Sequence, residues 1–275
     1  MVSSNKKFTF LFSVLFMALI GSGCYKESSD LLYGVNENEQ EMINKALVIG
    51  SGGKCIDGDF PKSSGSGIQI TDRPQAVQIT AGVLLFFNYN TSNNANLCKV
   101  YLQVDSAESY WEVPVEIDPV SKQPFIRVLI PNFVKNGNFK LKFAAGDCGG
   151  NISPVETTTL VVTEPLKCGS SFSGSLGITA MVANLGNKAG KVRIQYEMYT
   201  IPDRMDIRYR GNWVASTGTP LGIGGYPSCT VSPNGFVSGS NVLEFNYDPS
   251  LSKIVEVYVS GCNSGTAWNI NIECP

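Results

Sequence analysis

Few residues in this chain are placed to do chemistry, and the first is a thiol. Cys24 follows Gly21-Ser22-Gly23 at the end of an apolar run, Phe8 to Ile20, broken by Thr9 and Ser13 and preceded by Lys6 and Lys7. A positive start, an apolar middle and small residues before a cysteine make a secretory leader whose cysteine can serve as an attachment point. The run holds about thirteen residues against the roughly twenty that a bilayer span requires, so a transmembrane helix is the weaker reading. Glu108, Glu112, Glu116 and Asp118 raise the question of a glycosidase pair, which needs two carboxyl groups about 5–10 Å apart in a cleft. Strand alternation puts Glu112 and Glu116 on one face about 13 Å apart, where they read as solvent-side charges. Asp57-Gly58-Asp59 lacks the further ligands and closing Glu of an EF-hand loop and reads as a turn. Asp203 and Asp206 offer oxygens of the kind calcium takes, but a turn accounts for Asp203 without an ion.

No histidine occurs anywhere in the chain. Ser-His-Asp and Cys-His nucleophile systems, His-ligated metals and the usual imidazole proton transfer are therefore unavailable. An enzyme built on this sequence would have to use carboxylates, Lys, Tyr or Cys. The expectation is a protein that is not an enzyme and takes no cofactor and no metal.

Binding chemistry is better represented. The runs Lys191 to Met198 and Met205 to Arg210 alternate apolar and polar residues without a fault. If these two strands pair, Lys191, Arg193, Arg208 and Arg210 share a solvated face and, with Arg204, form a cationic strip for sulfated or phosphorylated glycans. Glu197, Asp203 and Asp206 are interleaved and would neutralise much of it, so a plain solvated face is the competing reading. Ile201-Pro202-Asp203-Arg204 supplies the expected turn between the two strands. Of the three tryptophans, Trp268 shares parity with Ile270 and Ile272 and belongs to a core. Trp111 lies beside Tyr110, one of which must face outward, and Trp213 follows a turn and is the best surface ring for stacking a sugar.

The elements that must position these groups are strands. Net charge is −2, charged residues are 16% of the chain, and Gly, Pro and aromatics are frequent, which suits short strands joined by turns in an exported protein and gives nucleic acid no attraction. The short amphipathic run Glu37 to Leu47 predicts one helix, acidic at its start and with Lys45 near its end. Strands are expected at Val77–Thr80, Val83–Tyr89, Lys99–Val104, Tyr110–Ile117, Phe125–Ile130, Phe139–Ala144 and Thr157–Val162, with Asn136-Gly137 as a hairpin signal. Seven short strands in about 100 residues suggest an immunoglobulin-like sandwich. After a Pro- and Gly/Ser-rich linker, further strands are expected at Asn212–Ser216, Asn241–Tyr247, Ile254–Ser260 and Trp268–Ile272, making a second antiparallel, jelly-roll-like sandwich. The fold class is thus all-β, two antiparallel β-sandwich domains after a signal peptide and a short helical stalk. The boundaries are 1–23 for the leader, 24–67 for the tether and helix, 68–164 for the first sandwich, 165–175 for the linker and 176–275 for the second sandwich.

The eight cysteines are Cys24, Cys55, Cys98, Cys148, Cys168, Cys229, Cys262 and Cys274. No C-x-x-C pair occurs, and an exported chain meets an oxidising compartment, so structural disulfides are expected. With Cys24 modified, seven remain, so at most three bridges form and one thiol is left over or pairs outside the chain. The preferred pairs are Cys98 with Cys148, Cys262 with Cys274, and Cys168 with Cys229.

Three resemblances add to this. Gly21-Ser22-Gly23-Cys24 resembles the cleavage site of bacterial lipoproteins, with Gly21 where the usual motif has Leu, a form associated with Bacteroidetes and spirochaetes. It implies cutting before Cys24 and acylation, with palmitate among the chains, of its thiol and new amino terminus. Each buried methylene adds roughly 0.8 kcal/mol, so two or three chains hold a protein at a membrane almost permanently. Tyr25 to Asp30 loosely resembles the charged segment that sends some such lipoproteins to the cell surface. Phe143 to Ser153, followed by Thr157 to Val162, is similar to the end of bacterial immunoglobulin-like modules. Gly190 to Gly211, with Gly265 to Trp268 and Cys274, resembles non-catalytic β-sandwich modules appended to secreted bacterial proteases, nucleases and adhesin-like proteins. The implied protein is a cell-envelope lipoprotein of the outer membrane and its surface, acting as a binding, adhesion or structural module for a glycan or a host or matrix protein. Its rivals are a carbohydrate-binding lipoprotein of a glycan-uptake system and a carboxylate-dependent hydrolase.

Overall fold

Strands form here where apolar side chains fall on every second position, and burial follows that parity. In Gly190–Glu197, Val192 and Ile194 are buried while Lys191, Arg193 and Gln195 face water. Trp268–Glu273 buries Trp268, Ile270 and Ile272 in the same way. Other strands lose the alternation because both faces are covered, as in Ile254–Gly261 and Gly177–Asn184. The computed structural model describes residues 38–50, 52–65, 67–117, 123–222, 225–227, 229 and 235–275. Cys24, the leader and Asp118 lie outside the described residues.

The protein is mostly β, with several sheets and, among the described residues, one α-helix, Glu39–Ala46. An eleven-stranded sheet runs in the order Asn212–Ser216, Arg204–Tyr209, Ile254–Gly261, Gly177–Asn184, Ala76–Thr80, Glu156–Thr163, Gly137–Asp147, Leu97–Val104, Ser109–Pro114, Lys54–Asp57, with Leu166–Lys167 beside Gly177–Asn184. Two four-stranded sheets complete the layers. The first holds Val48–Ile49, Pro124–Leu129, Leu84–Asn88 and Glu116–Ile117; the second holds Ser171–Gly174, Trp268–Glu273, Gly190–Glu197 and Ser240–Tyr247. A two-stranded ribbon pairs Ile70–Asp72 with Asn90–Thr91. Two apolar cores result, one around Phe87, Val104, Trp111 and Phe143 and one around Met181, Val192, Ile207 and Trp268.

The two cores meet at a seam inside the long sheet. Ala76–Thr80 runs parallel to both Glu156–Thr163 and Gly177–Asn184, and Leu166–Lys167 is also parallel to Gly177–Asn184, so the pairing is not antiparallel throughout. Across the seam Val182 donates its N–H to the Thr80 hydroxyl at 3.2 Å. Tyr226 stacks on Phe86 at 5.1 Å and Phe125 at 4.1 Å, and Tyr258 meets Phe86 edge-on at 6.4 Å. Gly177, at φ +112°, sits where a Cβ would come within 2.4 Å of the Ala76 carbonyl oxygen. A side chain there would force the strands apart. The segment 165–175, expected as a flexible linker, instead contributes Leu166–Lys167 to the long sheet and Ser171–Gly174 to the second small one.

Further expectations change. The helix is not a stalk: its buried face carries Glu41, Ile43 and Asn44. The Asn44 side chain accepts from Val104 N–H at 2.8 Å and donates to the Ser109 carbonyl at 2.9 Å, while the Trp111 indole donates to the Asn44 carbonyl. Buried polar groups need such partners, and these weld the helix to the first core. Asn136-Gly137 does not close a hairpin, because Pro124–Leu129 and Gly137–Asp147 belong to different sheets and the chain crosses between layers there.

Of the expected disulfides only Cys98–Cys148 is present; the others are exchanged as Cys168–Cys274 and Cys229–Cys262. Ser171–Gly174 pairs with Trp268–Glu273, and Gly169 N–H reaches the Ile272 carbonyl, which brings Cys168 and Cys274 to a Cα separation of 5.7 Å. Cys262 precedes that last strand and Cys274 follows it, so about 20 Å of extended chain separates them. The leftover thiol expected from an odd count is not found among the described cysteines: none is free, and Cys55 too is disulfide-bonded.

Candidate functional site

The expected cationic strip is dispersed by strand pairing. Gly190–Glu197 pairs with Ser240–Tyr247 and Trp268–Glu273, whereas Arg204–Tyr209 pairs with Asn212–Ser216 and Ile254–Gly261, so the two arginine-bearing strands lie in different sheets. Arg204 is fully buried. Its Nε and Nη2 each donate to an Asp206 carboxylate oxygen at 2.8 Å, and Nη2 also reaches Ser216 Oγ and the Thr219 carbonyl, both at 2.9 Å. The guanidinium fits beside Gly218 and Gly235, where a Cβ would lie 2.9 and 2.4 Å from Nη1. The chain around these glycines covers a face that alternation alone assigns to water. Arg208 pairs with Glu256 at 3.4 Å and lies 5.8 Å from the Trp213 ring; Arg210 is exposed at a turn with φ 55°.

Trp213 is half-buried rather than a free platform, set edge-on to Tyr258 at 5.4 Å against the first core. Asp203 is buried with both oxygens 2.7 Å from the Thr266 hydroxyl, and burial raises its pKa from 3.8 to about 6. Asp203 and Asp206 are thus engaged separately, with Thr266 and Arg204. The carboxylates around Trp111 are also divided: Glu112 pairs with Lys99 on the long sheet and Glu116 with Arg127 on the first small sheet. Trp111 and Trp268 are buried, each about 1% exposed.

What the fold does bring together is the outer face of the second small sheet. Register aligns Asn269, Glu197 and Ser240 in one row, Asn271, Gln195 and Val242 in the next, and Glu273, Arg193 and Glu244 in a third. The third row is a charge network: Arg193 reaches Glu244 at 3.2 Å and Glu273 at 3.1 Å, and Lys191 reaches Glu244 at 2.9 Å. The Lys191 ammonium is the largest influence holding the Glu244 carboxyl below its usual range; burial opposes it and Arg193 adds to it. The first two rows line an open depression of about 300 Å³ with Gln195, Glu197, Ser240, Asn241, Asn269 and Asn271. Glu197 accepts from the Ser240 hydroxyl and from Tyr199 N–H, which holds the exposed Tyr199 at φ 46° beside it.

Carboxamides both donate and accept, as sugar hydroxyls do, so such a floor matches a neutral hydroxylic ligand without requiring charge. Lys191 and Arg193 are the members of the expected strip that lie on this face. Gln195, Asn269 and Asn271 lie at outward positions that alternation identifies, but only the pairing of three distant strands makes them neighbours.

No protein-family model matches the chain, and no curated protein matches it. Among solved structures, the fibronectin(III)-like modules of Clostridium thermocellum CbhA align at 14% identity and TM-score 0.26, covering 36% of this chain and 98% of that one. The D00-D0 domain of intimin aligns at 12% identity and TM-score 0.26, covering 74% and 91%. SGBP-B of the Bacteroides ovatus mixed-linkage glucan utilization locus, solved with a mixed-linkage heptasaccharide, aligns at 8% identity and TM-score 0.21, covering 71% and 74%. All three scores lie under 0.5, and the fold described for this chain rests on its own strand order.

Proposed function

We propose that this chain is a lipid-anchored protein of the bacterial cell envelope, built as two β-sandwich units, the second jelly-roll-like, and that it binds rather than catalyses. The carrying observation is the outer face of the second small sheet, where four carboxamides and a hydroxyl line one depression while the neighbouring charges are spent on one another. That composition favours a neutral glycan over an acidic one, because hydroxyls match amides and the Glu197 carboxylate in the lining disfavours an anion. The disulfides fit an oxidising compartment outside the cytoplasm, as the leader requires. The lack of histidine, and the separation of Glu112 and Glu116 into different sheets, each paired with a cation, count against the hydrolase alternative.

A glycan array and a matrix-protein panel, probed with the mature chain and with Asn271→Ala, test the ligand. Binding to neutral glycans that falls with the substitution supports the proposal; binding confined to matrix proteins, or hydrolysis of any glycan, rejects it. The anchor is tested by labelled palmitate, which Cys24→Ala must abolish. Mass spectrometry that finds the Cys24 sulfur in a disulfide would reject thioether acylation, since both bonds need the same atom.

A further inference from the structure

The seam between the two cores carries a second cleft, of about 100 Å³, several times what one water needs. One wall comes from Asp72, Arg73, Tyr89 and Asn90 beside the two-stranded ribbon, together with Gln123. The other comes from Ile178 and the start of the strand Gly177–Asn184, with the Cys229–Cys262 disulfide at its edge. Gly177 and Gly261 are directly paired there, and a Cβ on either would strike backbone, at Ala76 and Ser175 respectively. Glycine at both positions permits the close approach that shapes the cleft.

Two polar atoms in this lining have no partner within the protein. The Tyr89 hydroxyl is buried without a hydrogen bond, on a residue only 2% exposed, and Arg73 Nη1 is likewise buried and unpaired. Both are held in place by their other contacts. The Tyr89 ring packs edge-on against Phe143 at 6.0 Å, and Arg73 spends Nε and Nη2 on one Glu156 oxygen at 2.9 and 2.6 Å, which leaves Nη1 over. Leaving buried donors unmade is costly, so the geometry is that of groups reserved for a ligand. Glu156 already neutralises Arg73, and Asp72 adds a further negative charge, so an anion is disfavoured.

We infer that the seam cleft binds a small neutral polyol or one edge of a sugar ring, whose hydroxyl oxygens accept from Arg73 Nη1 and the Tyr89 hydroxyl. This site shares no residue with the face of the second small sheet and does not rest on the function proposed for it. The test is calorimetry and ligand-observed NMR on the mature chain with methyl glucoside, methyl galactoside, methyl mannoside and glycerol. At least one ring is expected to bind with a millimolar Kd, and Tyr89→Phe to weaken it about tenfold by removing one hydrogen bond. The melting temperature of Tyr89→Phe should not fall, because the deleted hydroxyl has no partner in the free protein. No binding by any probe at about 50 mM, or binding unchanged by both Tyr89→Phe and Asn90→Ala, overturns the site. A lower melting temperature for Tyr89→Phe without ligand also overturns it, since the hydroxyl is then satisfied by ordered water. Binding lost instead through Asn271→Ala assigns the ring to the sheet face.

Discussion

Arg204 and Arg193 come from one stretch of sequence and meet opposite fates. Arg204 is sealed under the chain near Gly218 and Gly235, with Asp206 as its ion-pair partner and further bonds to Ser216 and Thr219. Arg193 lies on an open sheet face between Glu244 and Glu273, about half exposed. Charge pairing is common to both regions; solvent is not. In the first, the charges left water and depend on each other, whereas in the second, water can replace either partner.

The sharpest way to break this contrast is Arg204→Ala, which strands Asp206 without its cation. It should cost about 3–5 kcal/mol in denaturant unfolding, the range for removing one member of a buried pair. A loss under about 1 kcal/mol would mean that solvent reaches the site. Asp203 sharpens the comparison next, as a buried carboxylate that has a hydroxyl for a partner instead of a cation. Its folded pKa of about 6 lies above its ordinary 3.8, so its protonated form stabilises the fold below about pH 4 and that contribution is lost as pH rises through 6. Asp203→Asn should remove this dependence and raise stability at pH 8 by about 2–3 kcal/mol; unchanged pH dependence would show that Asp203 titrates normally.

Glu41 lies between the extremes. Burial works to raise its pKa, but donors from Ser109, Lys45 and Glu108 outweigh it and leave the carboxyl below its ordinary 4.5. Its contribution is therefore present above about pH 4.5 and lost as pH falls through the lowered value. Glu41→Gln should cost about 1–2 kcal/mol at pH 7 and reduce the acid sensitivity of unfolding. The smallest effect belongs to Arg193→Ala, expected below about 1 kcal/mol and smaller still in high salt. A larger value would place the exposed network with the buried pair.

Much of the secondary structure was legible in advance. The faultless alternation of residues 191–198 and the shared parity of Trp268, Ile270 and Ile272 identified strands and their buried faces, and residues 39–46 fall inside the expected helix. The helix's docking was not legible, because Glu41 and Asn44 are polar and their partners at residues 104–109 lie 60 or more positions away. The depression was half legible: Gln195 and Asn271 stood at outward positions, but nothing local set them side by side. Arg204 was misread because alternation says which face a side chain takes and not what covers that face.

The sequence by itself determined the β content, the inward parity of the strands and the lack of imidazole chemistry. Those depend on residue types and on the two-residue repeat of an extended chain, which are local. Only the tertiary structure decided which strands pair, and with them the split of the arginines between two sheets, the exchange of two disulfides and the seam that joins the cores. Each depends on long-range register and on which distant segment arrives to cover a face, information spread over the whole chain.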